Sequence, residues 1–321
     1  MPPVPAVLPV TETGRPRWSV VIPVHDCAGY LAEALPEVLA QLGGDVDAGR
    51  AEVVVVDDAS ADDPAAVVGR LGRGRVRYEG QAVNRGAIGT FNHCLDLASG
   101  ELVHLLHGDD LVLPGFYDAV EDALDDDPAA VAAVCRVEDV TADGRPTDVT
   151  RSYRRGTGRW TGALGSLAVS NRVRAPGVVV RRSAYEAVGG FSTDLPHAAD
   201  WEMWARLAAH GPVVFVDEVL ARYRRHDASD TSTRVQSGEN VRERVTALTP
   251  VLAHVAPERR GALRRRALAY AAVFAGRTAL QLARRGRWAG AARQARESVR
   301  CLALLVRPAP TPDGEPSPTP R

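Results

Sequence analysis

The sequence contains no lysine: all 39 of its basic residues are arginine. Together with abundant alanine, this is the composition of a high-GC bacterial genome, and it does not discriminate between functions. Cysteine is scarce too. Cys27, Cys94, Cys135 and Cys301 lie far apart and form no CxxC pair, which argues for reduced core residues and against disulfides or thiolate ligands. No run approaches the roughly 18 apolar residues of a membrane span. The N-terminus, MPPVPAVLPVTETGRPR, lacks a basic stretch and is too rich in proline for a secretory signal, so the cytoplasm is the expected location.

What is present is ample for one large or two modest domains: 321 residues, 45% hydrophobic and 25% charged. The net charge of -1 conceals a split. Residues 242–307 carry 15 arginines against Glu243, Glu258 and Glu297, giving +12. Residues 1–241 carry 23 arginines against 35 acids, giving -12, and the last 14 residues add -1. An acidic body joined to a basic segment is a partner signal. Nucleic acid fits poorly, because the body is acidic and no reader motif is recognisable.

Residues 1–16 and 307–321 are proline-rich and read as disordered ends. Between them, WSVVIPV (18–24) and AEVVVV (51–56) read as buried strands. A helix is expected over 29–42, bent or ended near Pro36, and another after the Asp63-Pro64 start signal. A short strand at 75–78, a helix at 87–97, a strand at 101–106 and a helix at 114–124 complete a βαβαβαβα order. That order implies a mainly parallel sheet with helices on both faces. The pattern then loosens: strands at 131–140, 177–181 and 212–216, helices at 183–188 and 198–210. Beyond Asn240 the chain reads as helical, broken near Pro257 and at Arg285-Gly286-Arg287, with its last two helices as a candidate antiparallel pair.

In an open parallel sheet, ligands bind beyond the carboxyl ends of the strands. Three strand ends here carry acids: Pro23-Val24-His25-Asp26, Asp57-Asp58-Ala59-Ser60 and His107-Gly108-Asp109-Asp110. Two carboxylates about 5 Å apart repel by roughly 3 kcal/mol at an effective dielectric near 20. A hard divalent cation that also holds phosphate oxygens would offset that repulsion. The segment NRGAIG adds Arg85 and two glycines suited to a phosphate. One such pair alone is as readily a solvated loop or a turn former ahead of Ser60. Two pairs plus a third acidic site at Asp200 make coincidence a weaker account. A dinucleotide oxidoreductase is disfavoured, because the first strand ends in PVHD and not in GxGxxG.

The ordered series SVVIPVHD, EVVVVDDASADDP, NRGAIGTFNHCLDLASGELVHLLHGDDLVLPGF, APGVVVRRSAYEAVGGF, HAADWEMWARLAAHG and LARYRRHDASDT resembles a family 2 glycosyltransferase of the GT-A fold. The resemblance covers residues 18–231. It implies an α/β GT-A domain over 17–235, followed by a basic helical region over 236–306. It also implies inverting transfer of a sugar from a nucleotide-diphosphate donor, with Mg²⁺ or Mn²⁺, in cell-surface polysaccharide, glycolipid or secondary-metabolite assembly. By position, Asp57 matches the aspartate that binds the donor base, with Asp58 beside it. Pro23, Val24 and Asp26 fall at the donor pocket, and Arg85 near base or phosphate. Asp109 matches the metal ligand, and Asp110 a ligand of metal or ribose. His107 stands where the family's acidic motif has its first carboxylate. It points away as a packed residue, contacts sugar or phosphate, or leaves a weakened metal site, since imidazole is a poorer ligand than carboxylate for Mg²⁺ though acceptable to Mn²⁺.

Asp200 matches the general base, with Ala199 in place of a frequent glutamate. A carboxylate there can take the acceptor's proton as its oxygen attacks. The bland alternative is an acid favoured by the helix dipole. Trp201 could stack under a sugar or simply join Trp204 in the core. His226 matches a histidine that reaches metal or diphosphate, or is a loop residue. Arg224 and Arg225 read as diphosphate ligands or solvated charges. The basic helices fit packing, a membrane leaflet bearing a lipid-linked acceptor, or a partner protein. His107 and Ala199 also motivate a second reading, a non-catalytic nucleotide-sugar-binding or scaffold protein of the same fold. The loops around 141–176, where specificity would lie, carry no readable code.

Overall fold

The structure is a computed structural model that describes residues 4–11, 13–226 and 230–306. The tail expected at 307–321 and the Asp227–Ser229 part of the HDASDT motif lie outside the described residues. The chain runs β1 (Trp18–Val24), α1 (Ala28–Asp47), β2 (Ala51–Asp57), α2 (Pro64–Gly72), β3 (Val76–Gly80), α3 (Gly86–Leu97), β4 (Leu102–Leu105), β5 (Leu111–Val112) and α4 (Phe116–Asp125). It continues through β6 (Ala132–Thr141), β7 (Pro146–Val149), β8 (Gly158–Arg159), α5 (Ala163–Leu167), β9 (Val178–Arg181), α6 (Arg182–Val188), α7 (Ala199–His210) and β10 (Val213–Arg225). Four helices follow: α8 (Asp230–Ser237), α9 (Glu239–Ala253), α10 (Pro257–Arg284) and α11 (Trp288–Val306).

The strands form one mixed sheet in the order β3-β2-β1-β4-β9-β6-β10-β5. The half β3-β2-β1-β4 is parallel, β9 runs antiparallel between β4 and β6, and β10 returns to parallel beside β6. Side chains alternate across the sheet, as a period of two requires. Val21, Val54, Val56, Val178 and Val180 face one core layer, while Val20, Ile22, Val53, Val55 and Val179 face the other. The second layer is covered by residues of α1, α2 and α4, such as Leu31, Val67 and Val120. The first is covered by α3, α5, α6 and α7, and also by Ala247, Leu248 and Val251 of α9 and Leu263 and Leu268 of α10. The basic helical region is therefore continuous with the main core, and the boundary expected at 235/236 falls inside α8.

Several expectations are corrected. Pro36 sits inside α1 without ending it, so the helix runs on to Asp47. The N-terminal arm, read as disordered, is anchored over the described part of residues 4–11. Val7 is buried, the Gly190 N–H donates to Pro5 O at 2.8 Å, and Arg182 Nη2 donates to Leu8 O at 2.9 Å. The strand expected at 212–216 continues to Arg225. Its second half carries polar residues to which sequence reasoning assigns no element. Pairing with β6 and with β5 satisfies its backbone, and bonds to residues of three other segments satisfy the buried Arg224.

Candidate active site

The carboxyl ends of β1, β2 and β4 lie side by side because their registers match: Val24 pairs with Asp57, and Val21 with Leu105. Backbone bonds tie the loops beyond them, Asp58 N–H donating to Val24 O (2.9 Å) and Gly108 N–H to Pro23 O (3.1 Å). Position 108 needs glycine. A Cβ there would lie 2.5 Å from Val24 Cγ1 and 3.0 Å from Cys27 Sγ. Without this close approach, β4 could not deliver the next two aspartates to the centre of the edge.

Asp110 is 1% exposed. Its Oδ1 accepts the Arg224 N–H of β10 at 2.9 Å, while its Oδ2 is buried with no hydrogen-bond partner among the described residues. His107 Nδ1 lies 3.6 Å from that orphaned oxygen. The Asp109 Oδ2 lies 3.0 Å from His226 Nε2. Ligand atoms of His107, Asp109 and Asp110 all fall within 4.8 Å of one another. Burial drives the Asp110 carboxyl well above the usual carboxylate range, and the Asp109 charge adds to it, against the opposing pull of Arg224. Burial also works against the ionised form of Asp109, but the His226 bond and the neighbouring imidazoles outweigh it and hold Asp109 below that range. Burial keeps His107 below the ordinary imidazole value despite Asp109 and Asp200, so at neutral pH it is uncharged and offers a lone pair. An ionised carboxylate, a neutral imidazole and a buried carboxylate oxygen without a partner are a donor set that fits a divalent cation.

His107 is held by its ring, stacked on Phe91 of α3 with centroids 4.9 Å apart. His226 Nε2 lies against Asp109 Oδ2, and His226 is not among the three residues whose ligand atoms gather together. Arg224 is a clamp and not a solvated charge. Its guanidinium donates to Asp109 O, Ala142 O and Glu33 Oε2 at 3.0, 2.8 and 2.6 Å, and covers the Tyr30 ring.

At the neighbouring strand end, Asp57 Oδ1 accepts the Ser60 N–H at 2.9 Å and Oδ2 accepts the Tyr78 hydroxyl at 2.6 Å. Asp58 Oδ1 accepts the Arg85 N–H at 2.6 Å, which fixes the start of α3. The Arg85 side chain is exposed at that helix start. Asp26 adopts a left-handed φ of 49° and accepts the Ala61 N–H at 2.8 Å, joining the β1 and β2 loops. The Val24 side chain is buried in the core, and the Pro23 and Val24 carbonyls accept the Gly108 and Asp58 N–H groups at this edge.

Asp200 stands in the first turn of α7. Its Oδ2 accepts Asn171 Nδ2–H at 2.8 Å and its Oδ1 the Trp201 N–H at 2.6 Å. Burial raises its carboxyl above the usual value, opposed by His197, by both donors and by His107. Trp201 does not offer a ring to a sugar. It is 2% exposed, and its indole N–H donates to Leu167 O at 2.6 Å, so it anchors α7 in the core. Sequence reasoning missed Asn171, which lies in a segment without a recognisable pattern. It also missed Glu243 of α9, whose Oε1 accepts the His197 and Ala198 N–H groups at 2.5 and 2.8 Å and caps α7 from outside the motif series.

A mixed sheet carrying acids at the ends of its central strands, with a further aspartate opposite them on a helix, defines a GT-A transferase. Residues 19–188 match the family described as "Glycosyl transferase family 2", and the chain belongs to that family and is a glycosyltransferase. The uncharacterized Mycobacterium tuberculosis protein MT1568 (strain CDC 1551 / Oshkosh) is 32% identical over 246 residues, which is 73% of this chain and 75% of that one. Among solved structures, Staphylococcus aureus TarS 1-349 in complex with UDP-GlcNAc superposes with a TM-score of 0.60 at 18% identity, covering 88% of this chain and 91% of that one. The Pyrobaculum calidifontis mannosyltransferase PcManGT, in complex with GDP-Man and Mn²⁺, gives 0.57 at 20% identity over 94% and 90%. At these identities the two solved structures establish the shared fold alone.

Proposed function

We propose that this chain transfers a sugar, with inversion, from a nucleoside-diphosphate donor to a hydroxyl on a glycan or lipid-linked acceptor. The observation that carries the reading is the His107, Asp109 and Asp110 cluster, whose one orphaned carboxylate oxygen sits beside an ionised Asp109. The bound nucleotide sugars and the Mn²⁺ in the two fold relatives accord with it. Asp109 and Asp110, with His107 beside them, would hold a Mg²⁺ or Mn²⁺ ion. When bound, the ion neutralises the charge of the departing diphosphate. Asp57 and Asp58 stand at the donor end of the edge, with Arg85 available to base or phosphate. Asp200 takes the proton of the acceptor hydroxyl as its oxygen forms a bond to the anomeric carbon and the bond from that carbon to the diphosphate oxygen breaks. Withdrawal from water raises the basicity of Asp200, and Asn171 fixes its direction. The test is transfer by Asp200→Asn: loss of transfer with nucleotide binding retained is expected, and equal transfer removes the role.

A second element of the proposal concerns location. Trp288, Ala292, Ala295, Val299, Leu302 and Val306 follow one another at spacings of four and three along α11, and all are exposed. Val273 and Leu280 of the partnering helix α10 are exposed as well, with Arg277, Arg296 and Arg300 among them. Among the described residues no helix is long and apolar enough to cross a membrane. An apolar stripe rimmed by arginine matches an anionic lipid surface. A second copy of the same basic face would meet it with like charge.

A further inference from the structure

Arg244, on α9, stands outside the family match and is used by nothing described above. Its Nε and Nη1 atoms are buried and have no hydrogen-bond partner among the described residues. Its guanidinium carbon lies 5.4 Å from the Trp201 ring centre, 5.7 Å from Tyr270 and 5.2 Å from Phe274, so three rings from α7 and α10 enclose it. A second guanidinium, that of Arg172, lies 5.5 Å from the Tyr270 ring. Arg172 follows Asn171, the residue that holds Asp200, and Arg244 covers the ring of Trp201, the residue after Asp200. Glu243, beside Arg244, is committed to capping α7.

A guanidinium enclosed in this way keeps its charge against the loss of water. Burial depresses its basicity, and the nearby Asp200 charge only partly restores it. The aromatic faces stabilise the cation but accept none of its N–H bonds well. An arginine fork aimed at no carboxylate is suited to an oxyanion, which takes two N–H bonds at once.

We infer that Arg244, with Arg172 at the same Tyr270 ring, forms an anion subsite on the acceptor side of Asp200. It would receive a phosphate or carboxylate group of the acceptor while the reacting hydroxyl lies at Asp200. The acceptor is then anionic and not a neutral glycan. This assignment rests on the transferase reading, but the subsite can be tested separately from it.

The experiment uses the full chain and methyl phosphate without divalent metal, with methyl glucoside as the neutral control. Binding is followed by calorimetry and by thermal unfolding. Wild type is expected to bind methyl phosphate, to melt at higher temperature in its presence and to ignore methyl glucoside. Arg244→Gln should bind it about tenfold or more weakly, and Arg244→Lys should fall between the two. Without ligand, Arg244→Gln should melt no lower than wild type, because an unpaired buried charge is removed. No phosphate response in wild type, or an equal one in Arg244→Gln, overturns the subsite. A lowered melting temperature in Arg244→Gln with no phosphate response in either chain makes Arg244 a packing residue. Binding of UDP, GDP or dTDP with Mn²⁺ should be equal in both chains. Its loss in Arg244→Gln would assign the anion to the donor and overturn the acceptor assignment. Phosphate binding that depends on Arg244, in a chain that binds no nucleotide, supports the subsite while removing the transferase reading.

Discussion

At Asp200 the carboxylate is withdrawn from water and held by Asn171 Nδ2 and the Trp201 N–H, so its position is fixed at the expense of its charged form. A carboxyl raised in the folded state binds its proton more tightly there than when unfolded. Its contribution therefore favours the folded state at low pH, and is lost as pH rises through the raised value. Asp200→Asn keeps one acceptor oxygen where the carboxylate offers one to each of two donors, and it removes the charge. At neutral pH it should unfold within about 1 kcal/mol of wild type or be slightly more stable, while transfer falls by about 10²–10⁴-fold. Denaturant unfolding and initial rates check the pair. In wild type, transfer should decline with acid at a higher pH than an ordinary carboxylate would give. The places of Asp109 and Asp110 beyond a strand end and of Asp200 at a helix start were legible because strands and helices have readable periods and start signals. Trp201 stood open between two readings, since a ring in the core and a ring under a sugar have the same sequence signature, and the structure places it in the core. Asn171 gave no signal, because a lone asparagine in an irregular segment is defined only by what it touches.

Among the elements, β4 and α7 carry the site, and each depends on a contact from elsewhere. Gly108→Ala would place a methyl against Val24 and Cys27. It should cost about 1–3 kcal/mol and weaken nucleotide binding by displacing Asp109 and Asp110, measurable by unfolding and calorimetry on one preparation. Glu243→Ala removes the cap that α9 gives α7. It should cost about 1 kcal/mol and lower the transfer rate more than donor affinity, since it touches the helix of Asp200 and none of the donor edge. The strands of the first half were readable because buried parallel strands are continuous apolar runs, as in AEVVVV. The second half of β10 was not. LARYRR is a strand because Arg222 pairs with Glu138 and Arg224 is clamped between Asp109 and Glu33 of α1, and these partners are distant in sequence.

For the whole molecule, the charge division visible in the sequence corresponds to a structural one only in part. The basic helices share the core of the catalytic body through α9 and α10, so they are not a separable tail. Composition reveals charge but not which apolar face is already covered, so packing and surface contact stood as alternatives in the sequence. The exposed stripe of α11 leaves room for both. Wild type should float with vesicles containing anionic phosphatidylglycerol and not with neutral phosphatidylcholine, and added salt should release it. Val299→Asp with Leu302→Asp should abolish flotation and leave nucleotide binding unchanged. Flotation that is independent of lipid charge or of these two residues would remove the lipid contact from the account.

The central claim is that Asp109 and Asp110 gather a cation and a sugar nucleotide at the sheet edge. Calorimetric titration with UDP, GDP and dTDP, each with and without Mn²⁺, tests it most directly, on wild type and on Asp109→Asn. The account predicts that one nucleotide class binds, that binding needs Mn²⁺, and that Asp109→Asn loses it. Binding indifferent to Mn²⁺ and to Asp109, or no binding of any nucleotide, would contradict it.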